Sequence, residues 1–151
     1  MLKPIALGTL ISGTLDILLA MILTLIYGRE IPNMLRSVAS GPFPSATDMG
    51  ASGAVLGLFV HFALMAIMAT AFMAIVRWRP VLLETPWRTA LAFGLITYFA
   101  MNWLVVPLRF HTPLPPSTRA ILTQLFCHIV LVGIPIALVT ARHFRRRSAF
   151  A

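Results

Sequence analysis

The chain has 151 residues, enough for one ordinary domain, but 59% of them are hydrophobic and only 11% are charged. A mean hydropathy of +0.90 excludes a typical soluble domain and predicts a membrane protein. The net charge is +8, yet the basic residues flank hydrophobic stretches. This arrangement indicates control of membrane topology and contact with anionic lipid headgroups, rather than nucleic-acid binding.

Four apolar stretches are long enough to cross a bilayer as α-helices. The first, residues 4–27, is too long for the apolar core of a signal peptide and is interrupted by Asp16, so we expect it to be retained. The other three spans are predicted at residues 50–76, 86–106 and 118–141. The segment 107–116 contains four prolines and is not expected to be helical throughout.

The connector between the first two spans is predicted to contain a short helix over residues 32–40. Pro32 suits the first turn of a helix, and Gly41-Pro42 ends it. The apolar residues of this helix share one side: Ile31, Leu35 and Val38. We therefore expect the helix to lie on the membrane surface, with partial re-entry into the membrane as the alternative.

The distribution of positive charge predicts the orientation. Eight basic residues lie on the side that carries both chain ends, and four lie on the other side. The first set is Lys3, Arg77, Arg79, Arg88, Arg142, Arg145, Arg146 and Arg147, and the second is Arg29, Arg36, Arg109 and Arg119. The richer side is expected to be cytoplasmic. The predicted fold is an all-α integral membrane four-helix bundle, a single domain with a basic cytoplasmic tail over residues 142–151.

Polar side chains occur inside each predicted span. At a rise of about 1.5 Å per residue, Asp16, His61 and His128 fall near one level around the midplane, and Asn102 lies further out. Lipid cannot satisfy such groups, so they are expected to point into the bundle. The predicted polar cluster consists of Asp16, His61, Asn102, Gln124 and His128.

Three interpretations of this cluster remain open. The first is a hydrogen-bonded network that sets helix register, and the second is a ligand, proton or metal site. The third is incidental placement, with one histidine facing lipid headgroups or a cavity. In the second case His61 and His128 are candidate axial ligands of a b-type haem, or, with Asp16, of a divalent metal ion. Gly53 and Gly57 argue against a haem, because their spacing indicates tight helix packing.

The function expected from these features is that of a non-enzymatic binding protein or an accessory subunit, because the chain is small and has no predicted soluble domain. Self-association or other membrane subunits are the expected protein partners. A haem- or metal-binding redox component, or a proton or ion transport component that uses Asp16, His61 and His128, is the alternative.

Five short motifs follow one another along the chain. They are Gly13-Thr-Leu-Asp16, Ser37-Val-Ala-Ser-Gly41, Leu58-x-x-His61-Phe62, Tyr98-x-x-x-Asn102-x-x-Val105-Val-Pro107-Leu and His128-x-x-Leu-Val-Gly133-x-Pro135-Ile-Ala137. In this order they resemble a widespread group of small four-helix bacterial inner-membrane proteins of unknown function. The resemblance implies a bacterial inner membrane and places Asp16, His61, Asn102 and His128 in the pattern of that group. It implies no activity.

Overall fold

Long apolar helices dominate the structure, a computed structural model that describes residues 2–148, with side chains described as far as residue 145. The helices are α1 (Leu2–Ile26), α2 (Ile31–Ala39), α3 (Gly50–Trp78), α4 (Pro86–Phe110) and α5, which begins at Thr118 and ends at Ser148. Short 3₁₀ helices occupy the connectors at Pro44–Asp48 and Pro80–Leu83. Within this described part of the chain, four helices are long and apolar enough to cross a membrane, which confirms the predicted all-α class and the four long apolar helices.

Large apolar side chains point outward on each of the four long helices, as expected of surfaces that contact lipid. Examples are Leu10, Phe59, Ile96 and Leu122, each more than half exposed. Inside, α1 lies against α3 and α5, and α4 packs mainly on α5. We call the end of the bundle with Lys3 and Arg142 the terminal end, and the opposite end the α2 end.

The apolar core joins α3, α4 and α5 towards the terminal end. Phe72 of α3 and Phe93 of α4 meet edge to face, with ring centroids 4.8 Å apart. The other core residues include Met65, Ala69, Val76, Ala90, Val132, Ile136 and Ala137. This contact holds α3 and α4 together on the terminal side of the bundle.

The helices α4 and α5 are each widened by a π turn. The turns are Ala100–Val105 and Cys127–Gly133, and each ends two residues before a proline, Pro107 or Pro135. Proline has no N–H, and its ring crowds the carbonyl four residues earlier, so a wider preceding turn relieves the clash. As a result, α4 continues through Pro107 to Phe110, beyond the predicted end of the third span.

The short helix α2 packs on α3. A Cβ at Gly57 would overlap the carbonyl group of Leu35, so only glycine allows this approach. Leu35 is buried, and Ala39 is completely buried. The structure thus shows this part of α2 covered by α3, where the sequence predicts contact with the membrane surface.

Candidate functional site

His61 of α3 is buried against α1. Its Nε2 lies 2.9 Å from the backbone carbonyl oxygen of Gly13, and because a carbonyl only accepts, Nε2–H is the donor. The other ring nitrogen, Nδ1, is 4.0 Å from Oδ2 of Asp16. That separation is too long for a direct hydrogen bond and suits a bridging water. The imidazole of His61 therefore binds the Gly13 carbonyl directly and lies close to the carboxyl group of Asp16, about one turn further along α1.

Asp16 also contacts α5. Its carboxyl group lies near the Cys127 thiol of that helix. The Asp16 side chain keeps 21% of its surface exposed, compared with 8% for that of His61. Asp16 is therefore the point at which α1, α3 and α5 meet through polar side chains.

His128 faces α4 and has a partner on each ring nitrogen. Nδ1 lies 3.2 Å from Oγ1 of Thr97. That hydroxyl donates its own hydrogen to the carbonyl oxygen of Gly94 at 3.0 Å, so it accepts from Nδ1–H. Nε2 lies 3.3 Å from Nδ2 of Asn102, which donates to it. These partners match a neutral imidazole that carries its proton on Nδ1.

The amide of Asn102 completes this second network. Its Nδ2 also donates to the carbonyl oxygen of Tyr98 at 3.3 Å, one turn earlier in α4. The Tyr98 hydroxyl in turn accepts from Nε1 of Trp103 at 3.1 Å. Both hydrogens of the Asn102 amide are thus used within the bundle, as a polar group in an apolar environment requires.

The close approach of α4 and α5 positions His128. A Cβ at Gly94 would lie 2.7 Å from both the His128 carbonyl oxygen and the Cα of Ile129. The π turn of α5 buries two consecutive side chains, Cys127 and His128, against different helices. Cys127 reaches Asp16 on α1, whereas His128 reaches Thr97 and Asn102 on α4.

The structure divides the predicted cluster into two groups. Asp16 and His61 form one, and Asn102 and His128 form the other. Gln124 is half-buried, and no side-chain hydrogen bond of the described residues joins it to either group. Sequence reasoning missed Thr97 and Cys127 as members. A hydroxyl near the Gly94 packing face was a usable signal for Thr97, but no spacing signal pointed to Cys127, which begins the π turn of α5.

The two histidines direct their ring nitrogens at different partners, so they do not form the shared pair that a haem would need. Within the described part of the chain, no group of three or more His, Cys, Asp or Glu side chains is arranged to hold a metal ion. The geometry therefore gives no support to a metal site at Asp16, His61 and His128.

The basic residues at the terminal end are exposed where their side chains are described. They include Arg77, Arg79, Arg142 and Arg145, and the guanidinium of Arg79 lies 5.0 Å from the centre of the Trp78 ring. The side chains of Arg146 and Arg147 lie outside the described residues. This exposure suits contact with headgroups or water.

A lateral groove of about 610 Å³ runs between α2, α3 and α4 towards the α2 end. Its walls are mainly apolar and include Val38, Val60, Leu64, Met101 and Val105. One cationic residue, Arg109, lies among the lining residues. Neither of the two polar groups contributes a side chain to this groove, so the groove is a separate candidate site.

Comparison of the chain with protein-family models, curated proteins and solved structures finds no match. The resemblance to small bacterial inner-membrane proteins therefore stays a prediction, and the function is argued from geometry.

Proposed function

We propose that this protein is a small, non-enzymatic integral membrane protein of the bacterial inner membrane that binds a lipid chain. The observation that carries the proposal is the lateral groove between α2, α3 and α4. Its volume lies within the range of roughly 300–1,000 Å³ that is typical of small-molecule sites. Its apolar walls suit a hydrocarbon chain.

The two polar groups differ from the groove in a way that supports this assignment. His128 and Asn102 use their hydrogen-bonding groups on each other and on α4, so their chemistry is directed inward. The apolar side chains that line the groove, in contrast, face an open space that a ligand can fill. A ligand chain would cover apolar surface from two long helices and from α2, which is the type of contact that packing forces favour in membranes.

The proposed topology places both chain ends in the cytoplasm. Lys3 and Arg142 line one cavity at the terminal end, and the excess of positive charge lies on that side. Reporter fusions at each chain end and in the 111–117 connector test the orientation. Cytoplasmic reporter activity from the connector fusion would overturn it.

A second candidate function is proton or ion transfer through Asp16 and His61. It is favoured by the 4.0 Å separation of Nδ1 and Oδ2, which a water can bridge, together with the partial exposure of Asp16. An accessory role in a membrane assembly is compatible with either candidate. A redox centre at His61 and His128 is the less supported alternative, because their nitrogens have separate partners.

A groove-filling substitution tests lipid binding. Val60→Trp places a large ring inside the groove, and Val55→Trp is the matched control, because Val55 is 56% exposed on the same helix and is not among the lining residues. Each protein is purified, exchanged into lipid-free detergent and examined by native mass spectrometry. We expect wild type and the Val55 variant to retain lipid and the Val60 variant to lose it. Equal retention by all three proteins would show that lipid is held elsewhere.

A further inference from the structure

The groove ends at a cation. Arg109 is half-buried in the last turn of α4, roughly 35 Å along the helix from Pro86. A bilayer hydrocarbon core is about 30 Å thick, so a helix of this length carries Arg109 to headgroup level when its other end lies at the opposite surface. The apolar wall residues Met101 and Val105 precede it on the same helix.

The guanidinium of Arg109 makes two hydrogen bonds to the end of α2. Nε donates to the carbonyl oxygen of Gly41 at 2.6 Å, and Nη2 donates to that of Ser40 at 2.8 Å. Both acceptors are uncharged, and they leave the remaining N–H groups of the guanidinium available. The two bonds hold the guanidinium in a fixed orientation beside the groove.

No carboxylate of the described residues is paired with Arg109. The ion pair within 4.0 Å that these residues show joins His61 and Asp16 and does not include Arg109. A fixed guanidinium with spare donors is suited to a phosphate group, which it binds through paired hydrogen bonds. The guanidinium also lies 5.2 Å from the centre of the Phe110 ring, which leaves its charge without an anionic partner among the described residues. The lining thus combines an apolar surface for a chain with a cation at one end.

We propose that the groove holds an anionic phospholipid, with an acyl chain against Val60, Leu64 and Val105 and the phosphate at Arg109. The inference rests on the proposed lipid-binding function and adds the class of headgroup. A zwitterionic lipid carries its own cation beside the phosphate, so its attraction to Arg109 is weaker. One basic side chain near a headgroup gives a preference of about five-fold.

The competing explanation is that Arg109 only caps α2, since a cation at the carbonyl end of a helix is stabilising by itself. Two substitutions separate charge from capping. Arg109→Lys keeps the positive charge, whereas Arg109→Gln keeps N–H donors for the Ser40 and Gly41 carbonyls but removes the charge. Arg119→Gln is the matched control, because Arg119 lies over the Tyr27 ring, 5.8 Å from its centre, and is not a groove residue.

The experiment incubates each purified protein with equal amounts of phosphatidylglycerol and phosphatidylcholine that carry identical acyl chains, and native mass spectrometry counts the retained lipids. We expect wild type, Arg109→Lys and Arg119→Gln to prefer phosphatidylglycerol about five-fold. Arg109→Gln should retain lipid without this preference. A maleimide dye that reacts with Cys127 on unfolding confirms that each variant is folded.

The outcomes distinguish the two levels of the proposal. Equal retention of both lipids by wild type would overturn the headgroup assignment and leave the lipid-binding function standing. Retention of neither lipid would overturn both. A preference that persists in Arg109→Gln would also overturn the assignment, because the charge would then come from elsewhere. If Arg109→Gln is unfolded, wild type and Arg109→Lys decide the matter, and absence of the preference in either one overturns it.

Discussion

His61 and His128 are both buried histidines, but they lie in helices of different geometry. Asp16 and His61 lie on α1 and α3, which are regular α-helices along their length. Asn102 and His128 lie on the π turns of α4 and α5. His128 has an uncharged partner for each nitrogen, whereas His61 has a backbone carbonyl on one nitrogen and a carboxyl group near the other.

The difference shows how two buried imidazoles acquire different chemistry. The network around His128 is complete with a neutral ring, so a change of protonation would break it. The pair of His61 and Asp16 has an unmade contact of 4.0 Å and a partly exposed carboxyl group. It is therefore the group that the second candidate function, proton or ion transfer, would use, because a water can bridge the two side chains.

The largest difference in stability is expected when the glycine beside each histidine is replaced by alanine. Gly94→Ala places a Cβ 2.7 Å from backbone atoms of α5, so two helices must separate, and we expect a loss of about 2–3 kcal/mol in the free energy of unfolding. Gly13→Ala meets the ring of Phe62 at 2.7 Å and the Met65 side chain at 3.4 Å. Side chains can move, so a loss below about 1 kcal/mol is expected.

Cys127, the only cysteine, provides the measurement for this pair. It is 7% exposed, so a maleimide dye reports the fraction of unfolded protein during a denaturant titration. Gly8→Ala is the control, because its nearest contacts would be ordinary ones at 3.8–3.9 Å. Similar losses of stability for Gly94→Ala and Gly13→Ala would contradict the expectation that a clash with backbone atoms costs more than a clash with a side chain.

Double-mutant cycles test whether the two histidines serve one site. Asn102→Leu and His128→Leu should be coupled by about 0.6 kcal/mol, the average for hydrogen bonds between membrane helices, and by no more than about 1.7 kcal/mol. His61→Leu and His128→Leu should be additive within about 0.5 kcal/mol, because they share no hydrogen-bond partner. Unfolding is followed by the same dye reaction. Strong coupling between the two histidines would restore the single-site interpretation.

The sequence was sufficient for the long helices because runs of apolar residues near 20 in length have few alternatives to a membrane span. It also predicts a similar depth for Asp16, His61 and His128, since depth depends only on the rise per residue. The direction in which a side chain points can be predicted only if the helix keeps a constant number of residues per turn. The π turns before Pro107 and Pro135 change that number. The facing directions of Asn102, Cys127 and His128, which lie on these turns, were therefore not predictable from spacing.

The surroundings of helix α2 are a second feature that the sequence did not predict. Its amphipathic pattern identifies an apolar side but does not identify what covers that side. Gly57 allows Leu35 to pack on α3, so protein covers part of a surface expected to meet lipid. The groove beside α2 was likewise not predicted, because it depends on the separation of α3 and α4.

A smaller effect is expected from Asp16→Asn. The amide donates a hydrogen bond where the carboxyl group stood, either to Nδ1 of His61 or through a water, so the free energy of unfolding should change by less than about 1 kcal/mol. Proton-linked behaviour, if the pair has it, should be lost in this variant. A loss above about 2 kcal/mol would instead indicate a charged carboxylate that stabilises an imidazolium.

The smallest perturbation leaves the protein unchanged and measures the histidine tautomers. We expect His61 to carry its proton on Nε2, because that atom donates to the Gly13 carbonyl, and His128 to carry its proton on Nδ1, because that atom donates to Thr97. Long-range ¹⁵N–¹H correlation spectra of the protein in nanodiscs distinguish the two forms, with His61→Gln and His128→Gln used for assignment. The same tautomer at both positions would contradict the assigned hydrogen-bond directions. Two protonated nitrogens on His61 in wild type, but only Nε2–H in Asp16→Asn, would show that Asp16 holds a proton on the ring. The same spectra should leave His128 unchanged in Asp16→Asn, because its proton is fixed by α4 and not by α1.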